Sequence, residues 1–118
     1  MVINSSTDDV AMTRGDSESL TVRKMVDGAE TSWVPGEIIT LTIRTYAEGE
    51  IVFQRVVTEF DDGGAAVIAI NPEDTEDLAF GRYVYDIQCT TTDGTVTTLI
   101  PRTPGNLPGW TITQEATY

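Results

Sequence analysis

The run from Arg82 to Thr91 constrains this chain more than any other part of it. Tyr83, Tyr85, Ile87 and Cys89 fall on every second position, with Val84, Asp86, Gln88 and Thr90 between them. A period of two with one apolar face marks a half-buried strand, because successive side chains of an extended backbone point to opposite sides. Asp93-Gly94 then predicts a tight reversal, since a short hairpin loop requires positive φ and glycine adopts it without steric cost. Thr95 to Ile100 reads as the return strand. Upstream, Ala65 to Asn71 reads as a strand, and Asn71-Pro72-Glu73-Asp74 opens one helical turn over residues 72–79. Asn suits the N-cap, Pro the first helical position, and the acids the positive end of the helix dipole. Leu78 or Phe80 is expected to pin this turn across the open end of a sandwich.

The remaining segments repeat the pattern. Leu20 and Val22 alternate with Thr21 and Arg23, and Met25 or Val26 continues that strand as far as Asp27-Gly28. Trp33, Val34 and Pro35-Gly36 form a turn, and Glu37 to Tyr46 is a strand with Ile39, Leu41 and Ile43 on one face. Ile51 to Phe60 is another, with less separable faces, and Asp61-Asp62-Gly63-Gly64 is a loop. Pro101, Pro104, Gly105, Pro108 and Gly109 forbid regular structure, since proline lacks the donor that a ladder needs. Trp110 to Thr113 is a last short strand that closes one sheet, with Trp110 and Ile112 inward. About seven strands at this spacing predict an all-β, immunoglobulin-like antiparallel sandwich, with a small barrel as the alternative. Residues 1–11 read as an N-terminal arm, either flexible or a short edge strand, and 12–118 as one sandwich domain. Met12 to Ser17 reads as a turn-forming cluster.

Composition narrows the function classes. Among 118 residues there is one cysteine and no histidine, so a disulfide framework and the usual Cys/His zinc site are excluded. Cys89, on the apolar face of its strand, reads as a small buried hydrophobe rather than a reactive thiol. Seven basic against 19 acidic residues give a net charge of −12, which argues against nucleic acid and against anionic membrane surfaces. The N-terminus shows no basic segment followed by an apolar run, so no signal peptide is expected, and no apolar run is long enough to span a bilayer.

No catalytic constellation is visible. Without histidine the commonest general base is missing. The acid pairs Asp8-Asp9, Asp61-Asp62, Glu73 with Glu76 and Asp74 with Asp77 sit in loops or on the capped turn, where solubility and capping explain them. Asp61, Asp62 and Asp93 could bind a hard cation such as calcium, but they lack the alternating spacing of a dedicated loop. The expectation is therefore no enzyme, no cofactor and no metal site. Arg14-Gly15-Asp16 spells an integrin-binding tripeptide, but a turn explains it as well. Trp33, beside Pro35, is the aromatic expected at the surface. Trp33, Arg14, Asp16 and Trp110 are the interface candidates.

Three segments carry a family pattern: Met12 to Ser17 with Leu20-Thr21-Val22; Glu37 to Arg44 with Ile51-Val52-Phe53-Gln54; and Ile70 to Thr75, Leu78, Gly81 to Ile87 and Asp93-Gly94. Together they resemble small β-sandwich structural proteins of tailed bacteriophages and prophages, in particular the N-terminal domain of upper baseplate and tail-fibre proteins. The resemblance spans roughly residues 12–100. It implies a non-enzymatic virion protein, made in the host bacterial cytoplasm, that acts as a tail or baseplate adaptor. The implied partners are other virion proteins, with self-association in a ring or trimer, and neither nucleic acid nor membrane. Baseplate proteins continue into helices and a receptor-binding region, which do not follow Tyr118. Capsid decoration and a carbohydrate-binding module are the alternative readings.

Overall fold

The computed structural model describes residues 2–3, 8–26, 28–100 and 107–114, and of residues 2–3 the backbone alone. In chain order the elements are β1 (Val2–Ile3), β2 (Val10–Thr13), β3 (Glu18–Val22), β4 (Lys24–Val26), β5 (Ala29–Thr31), β6 (Ile38–Arg44), β7 (Ile51–Val57), β8 (Ala66–Ile70), α1 (Pro72–Thr75), β9 (Gly81–Thr90), β10 (Val96–Ile100) and β11 (Gly109–Thr113). The fold is an immunoglobulin-like β-sandwich with one short helical turn, as the alternation predicts. Parts of the expected arm (Met1 and residues 4–7) and of the proline-rich loop (Pro101, Pro104, Gly105) lie outside the described residues.

The larger layer runs β1-β2-β11-β9-β6-β7, with β10 also bonded to β9. β9 is its axis. One edge pairs with β6 from Val84 to Thr90. The other edge is shared end to end: β11 takes Gly81 to Val84 and β10 takes Ile87 to Thr90. The second layer is the pair β3–β8, and β4–β5 is a separate hairpin. Tyr83, Tyr85, Ile87 and Cys89 are buried between the layers with Ile39, Leu41 and Ile43 of β6 and Ile68 and Ile70 of β8. The outer face of β9 and β6 is polar: Gln54 Nε2 donates to Thr42 Oγ1 at 3.0 Å, and Asp86 lies half-buried nearby.

Three features differ from the expectation. Val10 to Thr13 is a strand, parallel to β11 with Trp110 opposite Val10 and Ile112 opposite Met12. The sheet therefore takes in Val10 and Ala11, which the sequence assigned to the arm. The run that began at Leu20 breaks at Arg23, and Lys24 to Val26 leaves the β3–β8 pair to form the hairpin with β5. Trp110, with no solvent exposure, is inward as expected, but β11 lies inside the sheet between β2 and β9 rather than closing its edge.

The helical turn is pinned from two sides. Asp74 Oδ2 accepts from the Asn71 amide at 2.7 Å and from Arg55 at 2.6 Å, and Arg55 Nε also donates to Ala69 O. This clamp ties β7 of one layer to β8 of the other. Thr75, which is buried, accepts from the Gly15 amide at 2.9 Å. Phe80 stays at the surface, covered by the Arg14 guanidinium 4.1 Å from its centroid.

Beside β11, Tyr85 meets Trp110 edge to face at 5.2 Å, and its hydroxyl donates to Asp8 O in a buried setting. Asp8 is held at φ 63, a left-handed conformation that non-glycine residues adopt only when their surroundings impose it. Tyr85→Phe would remove that bond. The variant is expected to lose about 1–2 kcal/mol in urea denaturation, with amides of β2 exchanging faster than in the wild type. An unchanged midpoint and unchanged β2 protection would show that the hydroxyl does not hold this strand.

Candidate functional site

The two layers are clamped on the β7 side by Arg55. On the β10 side they diverge, leaving a cleft of about 650 Å³. One wall is β3 running into β4, with Leu20, Val22 and Lys24. The other is β10, with Thr97, Leu99 and Ile100. Ile87 and Cys89 of β9, with Trp33 and Glu37, complete the lining. Strand parity puts these groups there: Leu20 and Val22 share the inner face of β3, and Ile87 and Cys89 that of β9.

Glu37, only 4% exposed, is the polar centre of this lining. Its Oε1 accepts from the Val34 amide at 2.9 Å and from Lys24 Nζ at 3.1 Å. Its Oε2 takes a second, longer bond from Lys24 at 3.3 Å and a weak one from the Cys89 thiol at 3.8 Å. Burial alone would push this carboxyl up. The Val34 amide, the Lys24 ammonium and the thiol favour the ionised form and leave its pKa below the ordinary carboxylate value. Cys89 shifts the other way: burial pushes the thiol up and the adjacent carboxylate pushes it further, against a smaller pull from Lys24. The thiol is therefore neutral and unreactive.

Trp33 is corrected by the structure. It is 6% exposed rather than at the surface. Its indole N–H donates to Val22 O at 3.0 Å, its ring lies tilted against Phe60 at 6.4 Å, and Lys24 Nζ stands 5.5 Å from its centroid. Its backbone amide donates to Gly64 O at 2.9 Å. Gly64, at φ +78, passes so close to Ser32 that an added Cβ would lie 2.8 Å from the Ser32 Cα, so only glycine fits. The Asp61–Gly64 loop is closed in turn by Asp61 Oδ1, which accepts from the Gly63 and Ala65 amides.

The other interface candidates are not gathered with Trp33. Asp16 is exposed in the turn after β2 and Arg14 covers Phe80, while Trp110 is in the core. The cleft residues that sequence reading passed over are Glu37 and Lys24. A signal for both exists: each continues the apolar parity of its neighbours, Glu37 that of Ile39, Leu41 and Ile43, and Lys24 that of Leu20 and Val22.

No protein-family model matches the sequence, and no curated protein matches it. Among solved structures, CopC from Methylosinus trichosporium OB3b is similar in fold. It aligns over 93% of this chain and 89% of its own, with a TM-score of 0.50 and 14% sequence identity. The likeness at that identity is one of fold. The finding corrects the expectation of a bacteriophage virion protein, as tail or baseplate adaptor or as capsid decoration protein, with a carbohydrate-binding module as the further alternative. The solved chain that shares the sandwich is CopC, and nothing in that likeness bears on phage tail domains. The physical reason is that short loops and an inert sandwich are properties of the architecture, and architecture does not specify where a protein works.

The Glu37 geometry fixes a sign for pH dependence. A carboxyl whose folded pKa is depressed adds stability that is complete above its unfolded pKa and is lost as pH falls through the folded one. Glu37→Gln is expected to be less stable than wild type by about 1–3 kcal/mol at neutral pH, since it leaves Lys24 half-buried without its counter-charge. The gap should narrow once pH drops below the unfolded value of 4.5. Urea denaturation of both proteins across acid pH checks this; a gap independent of pH would assign the loss to packing instead of charge.

Proposed function

We propose that this protein is a non-enzymatic binding module whose working surface is the cleft between β3–β4 and β10. The observation that carries this reading is the cleft itself: about 650 Å³, apolar on its walls, with one buried ion pair. That volume is in the range of ligand sites, about 300–1,000 Å³, and a largely apolar lining with few convergent polar groups is their usual character. Catalysis is not favoured by the same geometry. Glu37 is committed to the Val34 amide and Lys24, and Cys89 is protonated, so neither is a free base or nucleophile.

The name of the structural neighbour raises copper, and the residues of this chain do not fit it. Imidazole, thiolate and thioether sulfur are the ligands that suit copper, and of the methionines among the described residues Met12 is buried in the core while Met25 is exposed on β4, so the two do not make a set. The chain has no histidine, its single thiol is buried and held neutral, and no cluster of three or more His, Cys, Asp or Glu side chains converges among the described residues. The cleft is a holder for apolar surface.

A neutral apolar dye tests this, because an anionic one would be repelled by the net charge of −12. Nile red is expected to bind saturably with a blue-shifted emission. Thr97→Trp, which fills the cleft from its β10 wall, should weaken binding at least tenfold, whereas Val56→Trp on the exposed outer face should leave it unchanged. Failure of the dye to bind, or equal binding by Thr97→Trp, would overturn the reading.

A further inference from the structure

Both walls of the cleft end in strand edges. β10 is bonded to β9 on one side and β3 to β8 on one side; among the described residues neither has a partner strand on its other side. Natural edges are usually blunted by lysine, proline or inward charge. β10 reads Val-Thr-Thr-Leu-Ile, with none of these; a further blunting device, a shift of register, is confined to its end between Thr98 and Ile100 and leaves Val96 to Thr98 in regular pairing. Its Val96 is 56% exposed, and Met25 across the mouth is 59% exposed. The cleft thus has the form of a place for one more strand: main-chain donors and acceptors along the rim, and Leu20, Val22, Ile87 and Leu99 beneath to receive every second side chain.

Charge decides the kind of strand. The cations on the wall are already neutralised: Arg23 pairs with Glu30 at 2.9 Å and Lys24 with Glu37 at 3.1 Å. At the β9–β10 turn Asp93 is ionised, held by the Thr91 hydroxyl and the Thr95 amide. Beyond these, the field is that of a chain with 19 acidic and 7 basic residues. It attracts a basic partner and repels a second copy of this chain, which would bring another −12.

We infer that the cleft receives an extended segment of another protein, in which apolar residues alternate with Lys or Arg, and that this segment adds to the β10 edge as a new strand. The apolar side chains enter the cleft and the basic ones face outward to the acidic surface. This is β-augmentation: main-chain bonds supply affinity, and the cleft selects the alternate side chains. β10 has five residues, so the segment spans roughly 17 Å at ~3.4 Å per residue. The inference rests on the cleft being a binding surface, and the experiment separates the two.

The probe is a capped Lys-Val-Lys-Val-Lys-Val-Lys peptide, used to displace Nile red from the full chain. Two relatives accompany it, one with Glu for every Lys and one N-methylated along its backbone. The parent peptide is expected to displace the dye and to slow hydrogen exchange in Val96 to Ile100. N-methylation should cost at least tenfold, because it removes the donors of the added strand and keeps the apolar side chains. Glu for Lys should cost at least tenfold at low salt, with the difference shrinking at high salt. Dye binding without displacement by the peptide would overturn the added strand and leave the cleft reading intact, whereas absence of both would overturn both. Equal binding of the N-methylated peptide would overturn strand pairing, and equal binding of the Glu peptide would overturn the basic partner. A stable dimer by sedimentation, dissociated by Thr97→Trp, would give the cleft to a second copy and likewise overturn the inference.

Discussion

The sandwich depends on β9 being hydrogen-bonded along both edges while no single strand covers its second edge. β6 runs along one side from Val84 onward. On the other side β11 and β10 divide the length between them. The two halves are then filled differently. Beside β11 the indole of Trp110 occupies the space between layers and meets Tyr85 edge to face, so that end is solid. Beside β10 the inward positions carry Thr97, Leu99 and Ile100, which are too small to reach β3, and the same strand therefore ends over a cleft. Core density at one end and a vacant slot at the other follow from which side chains its two edge partners bring.

The Glu37–Lys24 pair lines the slot and ties β4 to the start of β6. Taking two charges out of water is expensive, and a buried ion pair often stabilises less than well-packed hydrophobic residues of the same size. Here the carboxylate is nearly saturated by the Val34 amide and the ammonium, and the ammonium keeps one side toward solvent, with 28% of its side chain exposed. An apolar pair at these positions would extend the core toward β10 and favour closure of the layers. The ion pair instead holds the β4 wall at a fixed distance from the start of β6 and orders the turn that carries Trp33. Stability is given up locally and shape is gained.

Much of this was legible in the residues themselves. The parity of β9 and β6 follows from Tyr83 to Cys89 and Ile39 to Ile43, where a period of two makes one face apolar, whereas β8 is apolar at every position from Ala66 to Ile70 and its buried face is set by packing. The capped turn follows from Asn71-Pro72 and the acid at Asp74. What sequence did not show was pairing at a distance. Val10 and Met12 alternate too briefly to announce a strand, and their burial comes from β11, about a hundred residues along the chain, through a parallel contact that no local signal encodes. Trp33 looked exposed because Pro35-Gly36 makes a surface turn. The turn is at the surface, but Gly64 and Val22 draw the ring inward. Glu37 and Lys24 were the opposite case, since parity placed both inside and only their charge argued otherwise.

The separation of fold from function has the same origin. The inward positions of β3, β6, β8 and β9 need only be apolar and of suitable volume, a demand that many sequences meet. It is therefore unsurprising that a solved chain shares the architecture across nearly its whole length at 14% identity. Such likeness reports on the stacking of the two layers. On its cleft side this chain carries an uncharged edge at β10 and a carboxylate in contact with an ammonium at 3.1 Å, within a chain whose net charge is −12. None of those is required to make two β-layers stack, since stacking asks only for apolar inward positions of suitable volume.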